Sequence, residues 1–256
     1  MAYFERTGPR AFRATEHVGG AWDLETQHIA PALGLLAHAV EVDRDGRRTD
    51  GLSIRRLSYD ILGTVPVDVV DVDVQVLRPG RTIELVQATL LHGGRPAVLL
   101  RAWLLQGRDT SRLAGTALPV IRPPEDMPVW DATTVWPGGF IASVELRRHD
   151  LGPGRAAFWA RADHPLVEGE AASRLARAAV LLDIANGMAV RADPAAVAFP
   201  NVDLTAHLVD DPRGDWLGFD TTVSFGPTGL GLTSSVVHDL RGPLGTVSQL
   251  LTVRPR

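Results

Sequence analysis

The chain has 256 residues, 45% hydrophobic and 22% charged, with a formal net charge of −4, the composition of an ordinary globular protein and no electrostatic reason to expect nucleic acid as a partner. Cysteine is absent, which excludes disulfide staples, thiolate catalysis and cysteine-ligated metal and fits a reducing compartment. Met1 to Arg10 lacks the apolar core of a signal peptide and no run reaches the ~20 apolar residues of a membrane helix, so the expectation is a cytoplasmic chain without a membrane span.

Pro9 to Trp22 reads as a strand or strand pair interrupted by Gly19-Gly20. From Ala30-Pro31 to Val42 the apolar residues Leu33, Leu36, Ala37 and Val40 recur at helical spacing, and proline suits a first helical turn. Four strand-like runs follow, Leu52 to Leu62, Val67 to Leu77, Thr82 to Leu91 and Pro96 to Leu105. Arg78-Pro-Gly-Arg81 and His92-Gly-Gly-Arg95 are turns of hairpin length, which makes these strands antiparallel neighbours.

Residues 110–137 change character. Leu118-Pro-Val-Ile-Arg-Pro-Pro-Glu-Asp-Met-Pro128 is too rich in proline for a helix or a central strand, and Trp130 and Trp136 are placed to anchor it to the surface of the fold. The plan then repeats. Gly139 to His149 and Arg155 to Ala162 read as strands, and Glu170 to Arg191 as one long helix with Leu175, Ala178, Leu182, Ala185 and Ala189 on a stripe. Four strands close the chain: Ala198 to Val209, Trp216 to Phe225, Leu230 to Leu240 and Gly245 to Val253.

A helix and an antiparallel meander, twice over, imply two copies of one unit: residues 1–109, a linker at 110–137, and residues 138–256. An apolar helix beside a meander can be buried only if the sheet curls around it. The fold class expected is therefore α+β, a double hotdog.

Three late strands each carry a polar residue where a buried strand would be apolar: Asp203, Ser224 and Gln249. Unpartnered burial of such groups costs a few kcal/mol, so they would satisfy one another or a bound water. Matching the two repeats strand by strand sets Asp203 against Arg56, Ser224 against about Val74 and Gln249 against about Ala102. The polar trio belongs to the second repeat alone, as an asymmetric site would require.

The motifs Asn201-Val-Asp-Leu-Thr-Ala-His-Leu208, Gly214-Asp-Trp-Leu, Gly226-Pro-Thr-Gly-Leu-Gly-Leu, His238-Asp-Leu-Arg-Gly-Pro and Gln249-Leu-Leu resemble the C-terminal half of TesB-like acyl-CoA thioesterases, bacterial double-hotdog enzymes. The likeness covers the second half well and the first more loosely. It implies hydrolysis of an acyl-CoA or other acyl thioester, an edge-to-edge join of the two sheets, no cofactor, and an aspartate, a serine or threonine and a glutamine that hold and activate water. Carried over, these are Asp203, Ser224 and Gln249. The family often places glycines at the start of the first helix to polarise the thioester oxygen through backbone N–H groups. This chain has Gln27-His-Ile-Ala-Pro31 instead, and Gln27 and His28 are the candidates to replace that function.

His207, four residues past Asp203 on the same strand face, reads either as core packing or as lining for an acyl tunnel. The eight histidines show no metal-ligand spacing. Sheet edges that need covering favour a homo-oligomer. Two other readings stay open: a non-catalytic acyl-CoA or lipid-binding double hotdog, and another enzyme on this fold, such as a dehydratase or cyclase.

Overall fold

Alternating apolar residues make the strands, and a computed structural model describes residues 1–256. In the first repeat, β1 (Phe4–Arg6) and β2 (Ala11–Ala14) precede α1 (Ile29–Arg47), and β3 (Ser53–Ile61), β4 (Val69–Arg78), β5 (Ile83–His92) and β6 (Arg95–Leu105) form the meander. Val98, Leu100, Ala102 and Leu104 of β6 point inward in strict alternation. The β5–β6 hairpin turns on Gly93 and Gly94, at φ 56° and 76°, which a two-residue hairpin turn requires. α1 is buried from Ala30 to Leu36 without a polar face, because the sheet wraps one side and the second repeat covers the other.

The second repeat departs from its predicted form in three places. Gly139–Ala142 is a short helix, α2, and only then does β7 (Val144–Asp150) begin, followed by β8 (Arg155–Ala162). The long helix expected over Glu170 to Arg191 is broken into α3 (Arg174–Ala179), a single 3₁₀ turn at Leu182–Ile184, and α4 (Ala185–Met188). No glycine or proline lies at the break. It falls where Val180 is pressed against α1 at Gly34, so tertiary packing overrides the local helical pattern. The strand predicted from Ala198 divides into β9 (Val197–Ala198) and β10 (Asp203–Leu208), with Phe199 buried between them. β11 (Leu217–Phe225), β12 (Leu230–Asp239), β13 (Gly242–Thr252) and β14 (Arg254–Pro255) complete the chain.

The two meanders join into one twelve-stranded antiparallel sheet, in the order β1-β2-β4-β5-β6-β3-β10-β13-β12-β11-β8-β7. The join is β3 against β10, centred on Ser58 and Thr205, whose hydroxyls bond at 2.9 Å. The order reads the same from both ends, which is the duplication seen in the sequence pattern. The double hotdog is thus the observed fold. No helix is long and apolar enough to cross a membrane.

The two terminal strands of the sheet are covered by the chain itself. β1 is covered by 165–168, through Phe4 N–H to Leu166 O and Glu168 N–H to Phe4 O, and β7 by the linker, through Trp130 N–H to Leu146 O and Arg148 N–H to Pro128 O. β2 pairs with β4 only over Val69–Asp71, so the edge of β4 beyond Val72 keeps no strand partner within the chain. Trp136 anchors the end of the linker, its indole N–H bonding Gly187 O at 2.8 Å.

α1 and α3 cross closely at Gly34, where an added Cβ would lie 2.4 Å from Val180 Cγ2 and 2.9 Å from the Ala176 carbonyl oxygen. One of these neighbours is backbone and cannot swing aside. Gly34→Ala should cost about 1–3 kcal/mol through overpacking, lowering the melting temperature by several degrees; an unchanged melting temperature would contradict this account of the break in the second helix.

Candidate active site

The break after α3 delivers one carboxylate to the junction of the two repeats. Asp183, in the 3₁₀ turn, is 5% exposed. Its Oδ1 accepts two hydrogen bonds, from Asn201 Nδ2 at 2.7 Å and from Gln249 Nε2 at 3.1 Å. Its Oδ2 has no donor in the chain; the closest ionisable atom is His28 Nδ1 at 3.8 Å. Burial raises the carboxyl from 3.8 to about 7, and the two amide bonds only partly offset that push. A carboxylate with one oxygen held and the other free, titrating near neutrality, is suited to taking a proton from water.

His28 caps the start of α1. Its Nδ1 accepts from Ala30 N–H at 3.2 Å, which places the ring proton on Nε2. Burial lowers this histidine from 6.5 to about 4, so the imidazole facing Asp183 is neutral. The Ile29 N–H, at the first helical position, has no acceptor in the chain, and the helix dipole adds to its pull on a developing negative charge.

These groups line a cavity of about 270 Å³. Gln27, His28 and Ile29 come from the first repeat, Asp183, Asn186 and Asn201 from the second, and Ile61 and Leu62 from the end of β3. Trp22 also lines the cavity, edge-on to Trp136 at 4.9 Å and to Phe199 at 5.3 Å, giving an apolar wall beside the polar groups. No group of three or more His, Asp or Glu side chains is arranged to hold a metal ion.

The comparisons with known proteins bear on this junction. Family models for the N-terminal and C-terminal domains of acyl-CoA thioesterase match residues 18–105 and 124–253. The chain belongs to the acyl-CoA thioesterase family. A comparison with curated protein sequences gave no match. Among solved structures, a hot dog fold protein of Alicyclobacillus acidocaldarius aligns with a TM-score of 0.74 at 15% identity, over 98% of this chain and 95% of that one. The acyl-CoA thioesterase II TesB2 of Mycobacterium marinum aligns at 0.68 and 13% identity, over 99% and 95%. The dehydratase domain of PpsC from Mycobacterium tuberculosis, solved with C12:1-CoA, aligns at 0.54 and 15% identity, over 99% and 98%.

Of the residues singled out in the sequence of this thioesterase family member, the structure brings together Gln249, Gln27 and His28. Gln249 lies behind Asp183, on the inner face of β13. Gln27 lines the cavity, with its Nε2 donating to Pro66 O and its Oε1 buried without a partner. Asp203 is corrected in position. Its carboxylate turns away and accepts from Leu250 N–H at 2.6 Å, and only its backbone oxygen reaches the cluster, accepting from Asn201 Nδ2 at 3.1 Å. Ser224 and His207 lie on the outer, exposed face of the sheet. It was the family resemblance that carried Asp203 and Ser224 into the site; on their own strands the inward residues are Leu204, Ala206 and Leu208, and Phe219, Thr221 and Val223, which leaves both on the other face.

Asp183 and Asn201 were missed. Asp183 was hidden inside a run read as one helix, where an acid four residues past the end of α3 reads as surface. A signal was present: Leu181-Leu-Asp-Ile-Ala185 sets a lone acid within an apolar stretch.

The sign of the Asp183 shift gives a stability test. Between pH about 4 and about 7 the folded state holds a proton that the unfolded chain releases, so stability falls as pH rises through this window and stays reduced above it. Asp183→Asn removes that penalty, since its amide oxygen can accept from both Asn201 and Gln249. The variant should melt above the native protein at pH 8, with the difference shrinking toward pH 4; a variant less stable than the native protein at pH 8 would contradict the burial of a charged Asp183.

Proposed function

We propose that this family member hydrolyses an acyl-CoA thioester by direct attack of water, with Asp183 as general base. The observation that carries this reading is the asymmetry of the Asp183 carboxylate: Oδ1 is fixed by two amides, whereas Oδ2 is unpaired at the cavity. A water bonded to Oδ2 and to the unengaged Oδ1 of Asn201 has its remaining lone pair directed into the cavity. Asp183 takes the proton as the water oxygen bonds to the thioester carbon. The Ile29 N–H, and not a glycine amide, stabilises the oxyanion. Collapse breaks the C–S bond, the proton on Asp183 passes to the departing thiolate, and a free acid and CoA result.

The neutral His28 facing Asp183 across the two repeats favours a second reading. A histidine and an acid on opposite sides of a 3-hydroxyacyl thioester are the groups a dehydration needs, with the imidazole removing the α-proton and the acid protonating the leaving hydroxyl. Against it, the Nδ1 lone pair of His28 is engaged with Ala30 N–H, and Nε2, which carries the proton, is no base.

Thiol release from short, medium and long acyl-CoAs, with 2-enoyl-CoA hydration followed in parallel, separates the two. We expect thiol release whose kcat/KM rises with pH to a plateau with a midpoint near the Asp183 value of about 7. Asp183→Asn should lower it by ~10² or more with KM little changed. Undiminished turnover in that variant would overturn the assignment, and enoyl hydration without thiol release would establish the dehydratase reading.

A further inference from the structure

Two buried polar atoms next to the Asp183 cluster lack partners: the Thr233 hydroxyl and the side-chain oxygen of Gln249. They belong to residues directly opposite each other in the antiparallel β12–β13 pair, both on the inner face, at 0% and 1% exposure. Directly opposed residues hold their Cβ atoms about 5 Å apart, within bonding reach of a hydroxyl and an extended amide. One atom is a donor without an acceptor and the other an acceptor without a donor.

Among the neighbours of Thr233 in its row, Gln249 alone offers a side-chain acceptor that is itself unpaired. On its other side the register partner is Val223, which is apolar, and the next inward residue along the strand, Ser235, is already bonded to Thr221 at 2.7 Å. Leaving both atoms unpaired forfeits the hydration each would have in the unfolded chain, whereas pairing them needs only side-chain rotations.

We propose that Thr233 is a positioning residue for the hydrolysis: its hydroxyl donates to Gln249 Oε1 and thereby turns the Gln249 amide N–H toward Asp183. The proposal rests on the reading of Asp183 as the base. A primary amide has two orientations related by a half-turn. With the oxygen facing Asp183, it would meet the carboxylate lone pairs and the donor would be lost. The Thr233 hydroxyl favours the productive orientation through a residue that touches neither substrate nor water. Besides Asp183, His28 is the one titratable side chain lining the cavity, and it is neutral through the range in which Asp183 titrates. A shift in the Asp183 midpoint therefore reports on its amide donors.

The test compares Thr233→Val, which keeps the shape and removes the hydroxyl, with Thr233→Ser, which keeps the hydroxyl. Two readouts are taken, thiol release and the pH dependence of thermal stability, the latter with and without Asp183→Asn in each background. Thr233→Val should lower kcat by about tenfold with KM unchanged, less than the 10²–10³ expected for deleting a donor outright. It should also raise the Asp183 midpoint by about half a pH unit, as weakening one hydrogen bond implies. Thr233→Ser should restore both.

An unchanged midpoint in Thr233→Val, or a loss that Thr233→Ser does not restore, overturns the proposal and leaves Thr233 as packing. If the native protein releases no thiol from any acyl-CoA, the hydrolase reading fails, and the stability midpoint alone still decides whether Thr233 orients Gln249.

Discussion

Burying a carboxylate at the junction of two repeats is the constraint on which the rest of the structure depends. A charge taken out of water must be paired or hydrogen-bonded, or it takes up a proton. Here no cation is supplied, and two amides bond one oxygen of Asp183. The remaining imbalance holds the group near neutrality. Several departures from regular structure serve that placement. The helix of the second repeat breaks so that Asp183 turns inward, α1 comes close enough at Gly34 to present His28 and Ile29, and the chain before β10 bends so that Asn201 reaches the carboxylate.

The inner face of the second sheet shows the same priority. On β12 and β13 the leucines Leu230, Leu232 and Leu250 point outward and are about half exposed, while Thr233, Ser235 and Gln249 are buried. A one-residue change of register would bury the leucines and expose the hydroxyls, which area alone would favour. The register is held against that preference by the pairing of β13 with β10 and by the inward Val237, Leu244, Val247 and Leu251. In the first repeat the matching strands β5 and β6 bury Val86, Ala88, Leu100 and Ala102. One repeat supplies apolar packing and the start of a helix; the other supplies the polar machinery. Duplication allows this division, because each half need retain only part of a site.

Much of the fold was legible because its signals are local. Gly-Gly between alternating runs specifies a hairpin at 92–95, the 3.6-residue spacing of Leu33, Leu36 and Val40 specifies α1, and the clustered prolines after Leu118 exclude a strand. The site was legible only where a polar residue stood on a strand whose inward face could be identified, as for Gln249, or at a helix start, as for Gln27 and His28. Asp203 and Ser224 were carried over from the family resemblance, although the alternation of Leu204, Ala206 and Leu208 on β10 and of Phe219, Thr221 and Val223 on β11 sets both on the opposite face. Asp183 depends on a helix break with no glycine or proline to mark it, and Asn201 on a bend set by packing. Both are tertiary effects, outside what a local pattern carries.

The most direct test of the central claim, that Asp183 activates a water and does not itself attack the thioester, is a single turnover with excess protein in ¹⁸O-labelled water. Direct water attack predicts that the released acid carries one labelled oxygen and that Asp183 carries none. An unlabelled acid, with the label recovered in the Asp183 carboxylate, would show an acyl-aspartyl anhydride and contradict the account.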